Sequence, residues 1–324
     1  MGGKRVTIRD VAASAGVSYQ TVSRALNDKG EIDAGTKQRV LDTARELGYR
    51  PSRFARGLVR QDTTSVGLVI PDLMNPFFTE VASAALEAAR RQDWHVVVYD
   101  TADDPEQELS TLSVIGSQVD AIVGYLSQPD DVIDRYTSGI PVVYIGRTPG
   151  LQRFGAIEVD GEEGVHAAIA HLAGLGRRHI GMLDHESHHG PSKRQHWYLD
   201  AMREHGLPAR VVGSAQSIEG GQQGMAELLD QDPAVDAIFT YNDVIAIGAM
   251  RMARSRGRRV PEDCAVIGFD GLQIGTLVEP QLTSVRIDTR RLGVMAIEQV
   301  ARLLGGVSPE VTTIKADLLL RDSA

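Results

Sequence analysis

The 324-residue chain is 42% hydrophobic and 24% charged, an ordinary globular composition with room for two or three domains. No stretch approaches the roughly 18 to 20 consecutive apolar residues of a membrane helix, and the opening "MGGKRVTIRD" lacks the apolar core of a signal peptide, so a cytoplasmic protein is expected. The net charge of −9 is unevenly spread: residues 1–62 hold 12 Lys+Arg against 7 Asp+Glu, whereas residues 63–324 hold 22 against 36, so a basic end suited to a polyanion precedes a body that repels one.

In chain order, Thr7 and Asp10 can cap a first short helix whose Val11, Ala12 and Ala15 form one small apolar face, and Gly16 stops it. Ser18 can cap a second helix, with Val22 and Leu26 inward and Tyr19, Gln20, Ser23 and Arg24 outward near its N-terminal end. A third helix is expected from about Thr36 to Leu47, capped by Asp33, with Val40, Leu41, Ala44 and Leu47 inward. Three small helices sharing one core make a helix-turn-helix unit, and in that unit the second helix enters the major groove. Gln can be bidentate to adenine, Arg to guanine, and Tyr offers a hydroxyl and a flat face. The competing reading of this segment is an ordinary three-helix bundle with a polar face.

"SRFARGLVRQDTTS" follows, a stretch long enough for about one and a half helical turns and too short to be stable alone. From Ser65, β-branched runs alternate with helical patterns. Strands are expected at "SVGLVI", "WHVVVYD", "VDAIVGYL", "IPVVYIG", "HIGML", "RVVGSA", "AIFTYN" and "CAVIGF", with a terminal strand after the "GGVSP" loop. This is the sequence form of an α/β domain with doubly wound parallel sheets, in which ligands bind beyond the carboxyl ends of the strands. Cys264, the only cysteine, cannot form an internal disulfide and reads as a packing residue.

Enzyme signatures are sparse. Neither G-x-x-x-x-G-K-[ST] nor G-x-S-x-G occurs, and in "GLGRRHIG" Gly174 and Gly176 read as a helix stop. His185, His188, His189 and His196 crowd one loop, where solvated or ligand-bonding imidazoles outweigh a metal site. No catalytic residue, metal or cofactor is expected.

"TIRDVAASAGVSYQTVSRALN", "VLDTARELGYRPSRFARGLVR", "VGLVIPDLMNPFF", "FTYNDVIAIGAMRMARSRGRRVPEDCAVIGFDG" and "LTSVRID" together resemble the lactose/galactose repressor (LacI/GalR) family of bacterial transcription regulators along nearly the whole chain. The resemblance implies three parts. Residues 1–50 would be the DNA-binding domain, 51–64 a hinge helix and linker, and 65–324 a two-lobed effector-binding and dimerisation domain like the periplasmic sugar-binding proteins. Lobe 1 would take about 65–160 and 289–317, and lobe 2 about 161–288 and 318–324, with crossings near Gly161, Asp288 and Leu318. Tyr19, Gln20 and Arg24 would read bases, with Thr7, Ser18, Thr21, Ser23 and Asn27 completing the contacts of this domain. Leu58 would wedge into the minor groove beside Arg53 and Arg56, although Gly57 weakens that helix by up to about 1 kcal/mol.

For the effector the resemblance implies Asn75, Phe77, Arg147, Arg194, Trp197, Asn242, Phe269 and Asp270, with Asp243 beside Asn242. A polyhydroxylated ligand suits such groups, because Arg donates a fork to vicinal hydroxyls, Asp accepts, Asn does both and an aromatic ring covers the apolar sugar face. The chain departs from the family at three places. Trp197 stands where the family has Gly, Ala215 where an aromatic is common, and Gly146 where an Asp or Asn commonly precedes Arg147; Trp197 or Tyr198 is the candidate replacement for the lost platform. The expected protein is a dimer, since "KADLLLRDSA" carries no heptads of the kind the family's tetramers use. It would bind a palindromic operator as a repressor of carbohydrate genes and be switched by a small sugar. The alternative is a solute-binding or enzymatic α/β protein with an N-terminal bundle.

Overall fold

The computed structural model describes residues 8–26, 32–47, 63–116, 118–137, 139–186 and 190–324. The chain divides into two compact units, Met1–Thr63 and Thr64–Ala324. In the first, α1 (Ile8–Ala15), α2 (Tyr19–Leu26) and α3 (Ala34–Glu46) enclose a core of Val11, Ala12, Ala15, Val22, Ala25, Val40 and Ala44. Gly16 turns the chain at φ +64, a conformation glycine adopts without a Cβ penalty. Helix α3 begins two residues before the expected Thr36. Asp33 Oδ2 accepts from the Thr36 amide at 2.9 Å, and an N-cap reaches the third amide of its helix, which puts the start at Ala34.

The second unit alternates strand and helix throughout: β1 (Ser65–Ile70), α4 (Pro76–Arg90), β2 (His95–Asp100), α5 (Pro105–Ile115), β3 (Ala121–Gly124), α6 (Asp130–Thr137), β4 (Val142–Ile145) and β5 (Gly155–Asp160). Then come α7 (Glu162–Gly174), β6 (Ile180–His185), α8 (Lys193–Glu204), β7 (Arg210–Ser214), α9 (Ile218–Gln231), β8 (Ala237–Thr240), α10 (Asp243–Ser255) and β9 (Ala265–Asp270). A 3₁₀ turn (Gln273–Thr276), β10 (Thr283–Arg286), α11 (Thr289–Leu304), β11 (Val311–Lys315) and β12 (Asp317–Leu319) complete it. Two sheets result, ordered β11-β5-β4-β3-β1-β2 and β12-β10-β9-β8-β6-β7. All pairings are parallel except β10 with β12. Central strands such as "AIVG" and "VVYI" are buried on both faces, which is why they read as continuous apolar runs.

Strands β5, β10 and β12 were not among those expected. "GAIEVD" carries a Gly and two acids, and β10 and β12 are only four and three residues long, so none shows a clear apolar pattern. The chain passes between the sheets at Gly161, at Ile287–Asp288 and at Ala316. The expected third crossing, Leu318, and the assignment of Asp317 to lobe 1 are corrected by pairing: the Ala316 amide still bonds Asp160 O at 2.8 Å, but Asp317 and Leu318 already pair with Arg286 and Val285. The run "IKADLLL" shows no break that would betray this. Cys264 is fully buried ahead of β9.

Both sheets are wound alike. From β2 to β5 the order is 2-1-3-4-5, and from β7 to β10 the same order repeats, so the winding direction reverses between β1 and β3 and again between β6 and β8. The segments that leave these strands diverge there and open a crevice at their carboxyl ends.

Candidate functional site

In the N-terminal unit, Ser18 Oγ accepts from the Thr21 amide at 3.1 Å and exchanges a hydrogen bond with Thr21 Oγ1 at 2.9 Å, fixing the start of α2. That cap leaves Tyr19, Gln20 and Arg24 exposed on the outer face, with Thr21 and Ser23 half-buried beside them, while Val22 closes onto the core. A Tyr 58% exposed at a helix N-terminus has no packing role in this small core. Thr7, Asn27, Arg53, Arg56 and Leu58 lie outside the described residues, as do His188 and His189.

In the second unit the two reversal points face a single cleft of about 440 Å³, within the usual range of small-molecule sites. Asn75, Phe77, Arg147, Arg194, Trp197, Asn242, Phe269 and Asp270 all line it, together with Phe78, Asp103, Tyr125, His185, Gln216 and Tyr241.

Arg194, near the start of α8, is the centre of the lobe 2 wall. Its guanidinium lies 3.8 Å from the Phe269 ring centroid and 4.2 Å from that of Tyr241, held between two π-faces. Nη2 donates to Asp270 Oδ1 at 3.3 Å and Nη1 donates to the Tyr241 carbonyl oxygen. Asp270 ends β9 at φ +109, a conformation rare outside glycine, and is held there by β10, where the Ile287 amide donates to its carbonyl oxygen at 3.1 Å, and by Arg194. Burial pushes its carboxyl well above the usual carboxylate range, with Arg194 opposing. Beside it, Asp243 is buried and accepts from the Leu272 amide and the Ser284 hydroxyl, both at 2.6 Å. Burial raises its carboxyl to about 7. Asp243 is absent from the cleft lining; it ties α10 to β10 from behind.

Several expected contacts carry structural duties as well. Asn75 caps α4 by accepting from the Phe77 amide at 3.1 Å, and Asn242 caps α10 by accepting from the Ile245 amide at 2.9 Å. Arg147 donates to Leu126 O at 2.9 Å, to Gln128 O at 2.8 Å and to Asp130 at 2.8 Å, so most of its donors brace the lobe 1 wall. Phe77 packs edge-on against Phe78 and Tyr125. Tyr198 is not a stacking platform: it is fully buried, and its hydroxyl donates to Ile180 O at 2.8 Å. Trp197 does reach the cleft, over Gly161, where a Cβ would come within 3.0 Å of its ring and 2.7 Å of Phe269.

Tyr125, Tyr241, Gln216 and Asp103 were missed. The signal for Tyr125 and Tyr241 is positional, since each directly follows or lies one residue past a strand bordering a reversal point. Gly146, at φ +87, lies under the Tyr125 ring, 3.4 Å from where its Cβ would be, so a side chain at this position would be strained and would meet the ring. The buried Tyr125 hydroxyl has no partner among the described residues, and burial raises it well above its ordinary value, so it stays a neutral phenol.

A sequence model described as bacterial regulatory proteins, lacI family, matches residues 7–52, and one for a periplasmic binding protein-like domain matches residues 169–324. Catabolite control protein A of Priestia megaterium is 33% identical over 310 residues, covering 92% of each chain. The crystal structure of a LacI family transcriptional regulator from Arthrobacter sp. FB24 in complex with lactose is 35% identical, with a TM-score of 0.76 over 80% of this chain and 99% of its own. A complex of the transcriptional regulator CelR with cellobiose is 27% identical, with a TM-score of 0.73 over 99% of this chain and 100% of its own.

Proposed function

Because the chain belongs to the lacI family of bacterial regulatory proteins, we propose that it is a homodimeric repressor of carbohydrate-utilisation genes, acting in the cytoplasm on a palindromic operator and released or recruited by a small sugar. Residues 1–50 bind the major groove through Tyr19, Gln20 and Arg24, and residues 51–64 form the hinge, with Leu58 in the minor groove and Arg53 and Arg56 as phosphate or groove contacts. Leu73, Met74 and Leu277 support the dimer. They are exposed on the segments just before α4 and just after the 3₁₀ turn, two elements tied to each other where the Gln273 amide donates to Glu80 at 3.4 Å.

The observation that carries the effector reading is the Arg194 site: a guanidinium fixed between two rings and a buried carboxylate, on the wall of a cleft lined by both lobes. It presents a donor fork, an acceptor and aromatic faces to one ligand, as a saccharide requires. The lactose and cellobiose bound by the similar regulators make a disaccharide the first ligand to try. Among the described residues no helix is long and apolar enough to cross a membrane. A gel shift on DNA flanking the gene, with and without lactose, cellobiose and ribose, tests the proposal. A specific complex whose affinity a sugar changes is expected, and absence of any sequence-specific complex would refute it.

A further inference from the structure

His185 ends β6 at the lobe 2 reversal point, tilted against Tyr241 at 5.2 Å between centroids, and its protonation pattern is readable from its neighbours. Asn242 Oδ1 accepts from the Ile245 amide, which orients the Asn242 amide so that Nδ2 donates to Gln216 Oε1 at 3.2 Å. Gln216 Nε2 is thereby turned towards His185 Nε2 at 3.4 Å, and an amide nitrogen can only donate. His185 Nε2 is therefore the acceptor and Nδ1 carries the proton. Among the described residues that buried Nδ1–H has no partner. Burial lowers the affinity of the imidazole for a second proton, and Arg194 adds to this, while Asp103, Asp184 and Glu186 act the other way.

Across the cleft, Asp103 sits on a loop in which both Ala102 and Asp103 have φ +52, a left-handed conformation that non-glycine residues seldom adopt twice in succession. The loop is pinned by the Asp103 amide donating to Pro71 O at 2.7 Å. Among the described residues that line the cleft, each cation has a carboxylate partner: Arg194 with Asp270, Arg147 with Asp130, and Lys193 with Glu158 at 3.8 Å. Glu108 accepts from the Ser127 and Gln128 amides, whereas the Asp103 carboxylate takes no hydrogen bond from a described residue. The cleft thus offers an unspent acceptor on lobe 1, an unspent donor on lobe 2, and no unspent cation among these residues.

We propose that Asp103 and His185 clamp a neutral, unphosphorylated saccharide across the cleft, Asp103 accepting from one hydroxyl and His185 Nδ1–H donating to another oxygen. The clamp rests on the effector reading above, and it disfavours sugar phosphates, whose charge would meet Asp103 while each lining cation among the described residues already faces a carboxylate.

The experiment has two arms on the full chain. In the first, nitrogen-15 NMR of histidine-labelled, ligand-free protein reads the tautomer: Nδ1–H is expected for His185, and Gln216→Glu should reverse it to Nε2–H, because a carboxylate there accepts. An Nε2–H imidazole in the wild type overturns the clamp while leaving the effector cleft standing. In the second, calorimetry compares lactose, cellobiose and ribose with glucose 6-phosphate. The sugar that binds best should lose about tenfold or more in affinity in Asp103→Ala and in Gln216→Glu, the latter keeping the ring and its packing. Glucose 6-phosphate should bind at least about tenfold more weakly than that sugar. Tighter binding of glucose 6-phosphate, or variants within twofold of the wild type, overturns the clamp alone. Failure of all four ligands to bind overturns the effector reading and the clamp with it.

Discussion

Replacing Arg194 by Met keeps an apolar stem between Phe269 and Tyr241 but removes the guanidinium, which is only 17% exposed and faces an Asp270 side chain that is 3% exposed. Removing one partner of a buried pair typically costs about 3–5 kcal/mol, because the remaining charge is uncompensated. Asp270 has a way out, since burial already raises its carboxyl well above the usual range, and without Arg194 it rises further. A carboxyl raised in the folded state contributes stability below its unfolded value of about 3.9, and that contribution is lost as pH rises through the folded value. The cost of Arg194→Met is therefore expected to rise with pH, from about 1–2 kcal/mol at pH 5 to about 3 kcal/mol or more at pH 8, because rising pH favours the charged form of Asp270 that Arg194 compensates. In Arg194→Met/Asp270→Asn the pH dependence of that cost should disappear, with a coupling energy of about 2 kcal/mol at pH 8. Urea unfolding of the four proteins at both pH values measures this. Trp197 fluorescence on titration with lactose, or with whichever sugar switches the wild type, should show no response from the single variant. A cost equal at the two pH values, or coupling near zero, would show that the two groups do not act as a pair; a preserved sugar response would remove Arg194 as the effector anchor.

The remaining predictions probe other parts of the molecule. Asp243→Asn should flatten the stability profile between about pH 4 and pH 7: the buried carboxyl at about 7, facing Ser284, Leu272, Arg321, Arg194 and Asp270, withdraws up to about 4 kcal/mol across that window, and an Asn can still accept from the Leu272 amide while its NH2 donates to Ser284 Oγ instead of accepting from it. An unchanged slope in pH-dependent urea midpoints would place that ionisation elsewhere. Gly161→Ala, at an ordinary φ of −109, acts through space alone; its Cβ would press on Phe269 and Trp197, so about 1–3 kcal/mol of destabilisation and an altered Trp197 emission are expected. Gln20→Ala and Arg24→Ala should each relax base preference at one or two operator positions by about 1–3 kcal/mol, whereas Arg53→Ala should weaken all sequences and flatten the salt dependence; identical binding-site profiles for the three variants would refute these roles. Leu58→Ala should reduce DNA bending with the effector unit still folded, as a bending assay alongside circular dichroism would show.

The residues legible in the sequence are those whose role is set by local spacing. Ser18 and Asp33 as caps, Val22 and Val40 as core, and the long β-branched runs of the central strands follow from periods of 3.6 and 2 that neighbours in sequence display. The edge strand β12 and the crossing at Ala316 are set by partners about 30 and 150 residues away, Arg286 and Asp160, and no local pattern encodes them. The cleft divides in the same way. The resemblance supplied Arg194 and Asp270 because they sit inside motifs, and it could not supply Tyr125 or Gln216, which matter through what Gly146 and Asn242 leave open to them. Tyr198 misled because an aromatic next to Trp197 looks equivalent on paper, although one step along a helix turns a side chain by about 100 degrees, here from the cleft into the core.

The two lobes are joined by three single strands of chain, and two of these crossings border the ligand's space: Gly161 underlies Phe269 and Trp197, and Ile287 lines the cleft while its amide donates to Asp270 O at 3.1 Å. The polar ties between the lobes near the cleft are weak by comparison. Glu80 on α4 accepts from the Gln273 amide at 3.4 Å, and Lys193 meets Glu158 at 3.8 Å with side chains 62% and 32% exposed. Exposed ion pairs typically contribute about 0–1 kcal/mol, and an amide-to-carboxylate bond at 3.4 Å is beyond the usual hydrogen-bond range of about 2.7–3.2 Å and correspondingly weak. A ligand that engages Arg194 on one lobe and Asp103 on the other adds hydrogen bonds to charged groups worth about 1.5–3 kcal/mol each, realised together only when the lobes approach in one orientation. About 3 kcal/mol of such differential affinity shifts a two-state ratio roughly a hundredfold. The polar ties already present near the cleft are weaker than that, so a ligand that engages both walls outweighs them and shifts which orientation prevails.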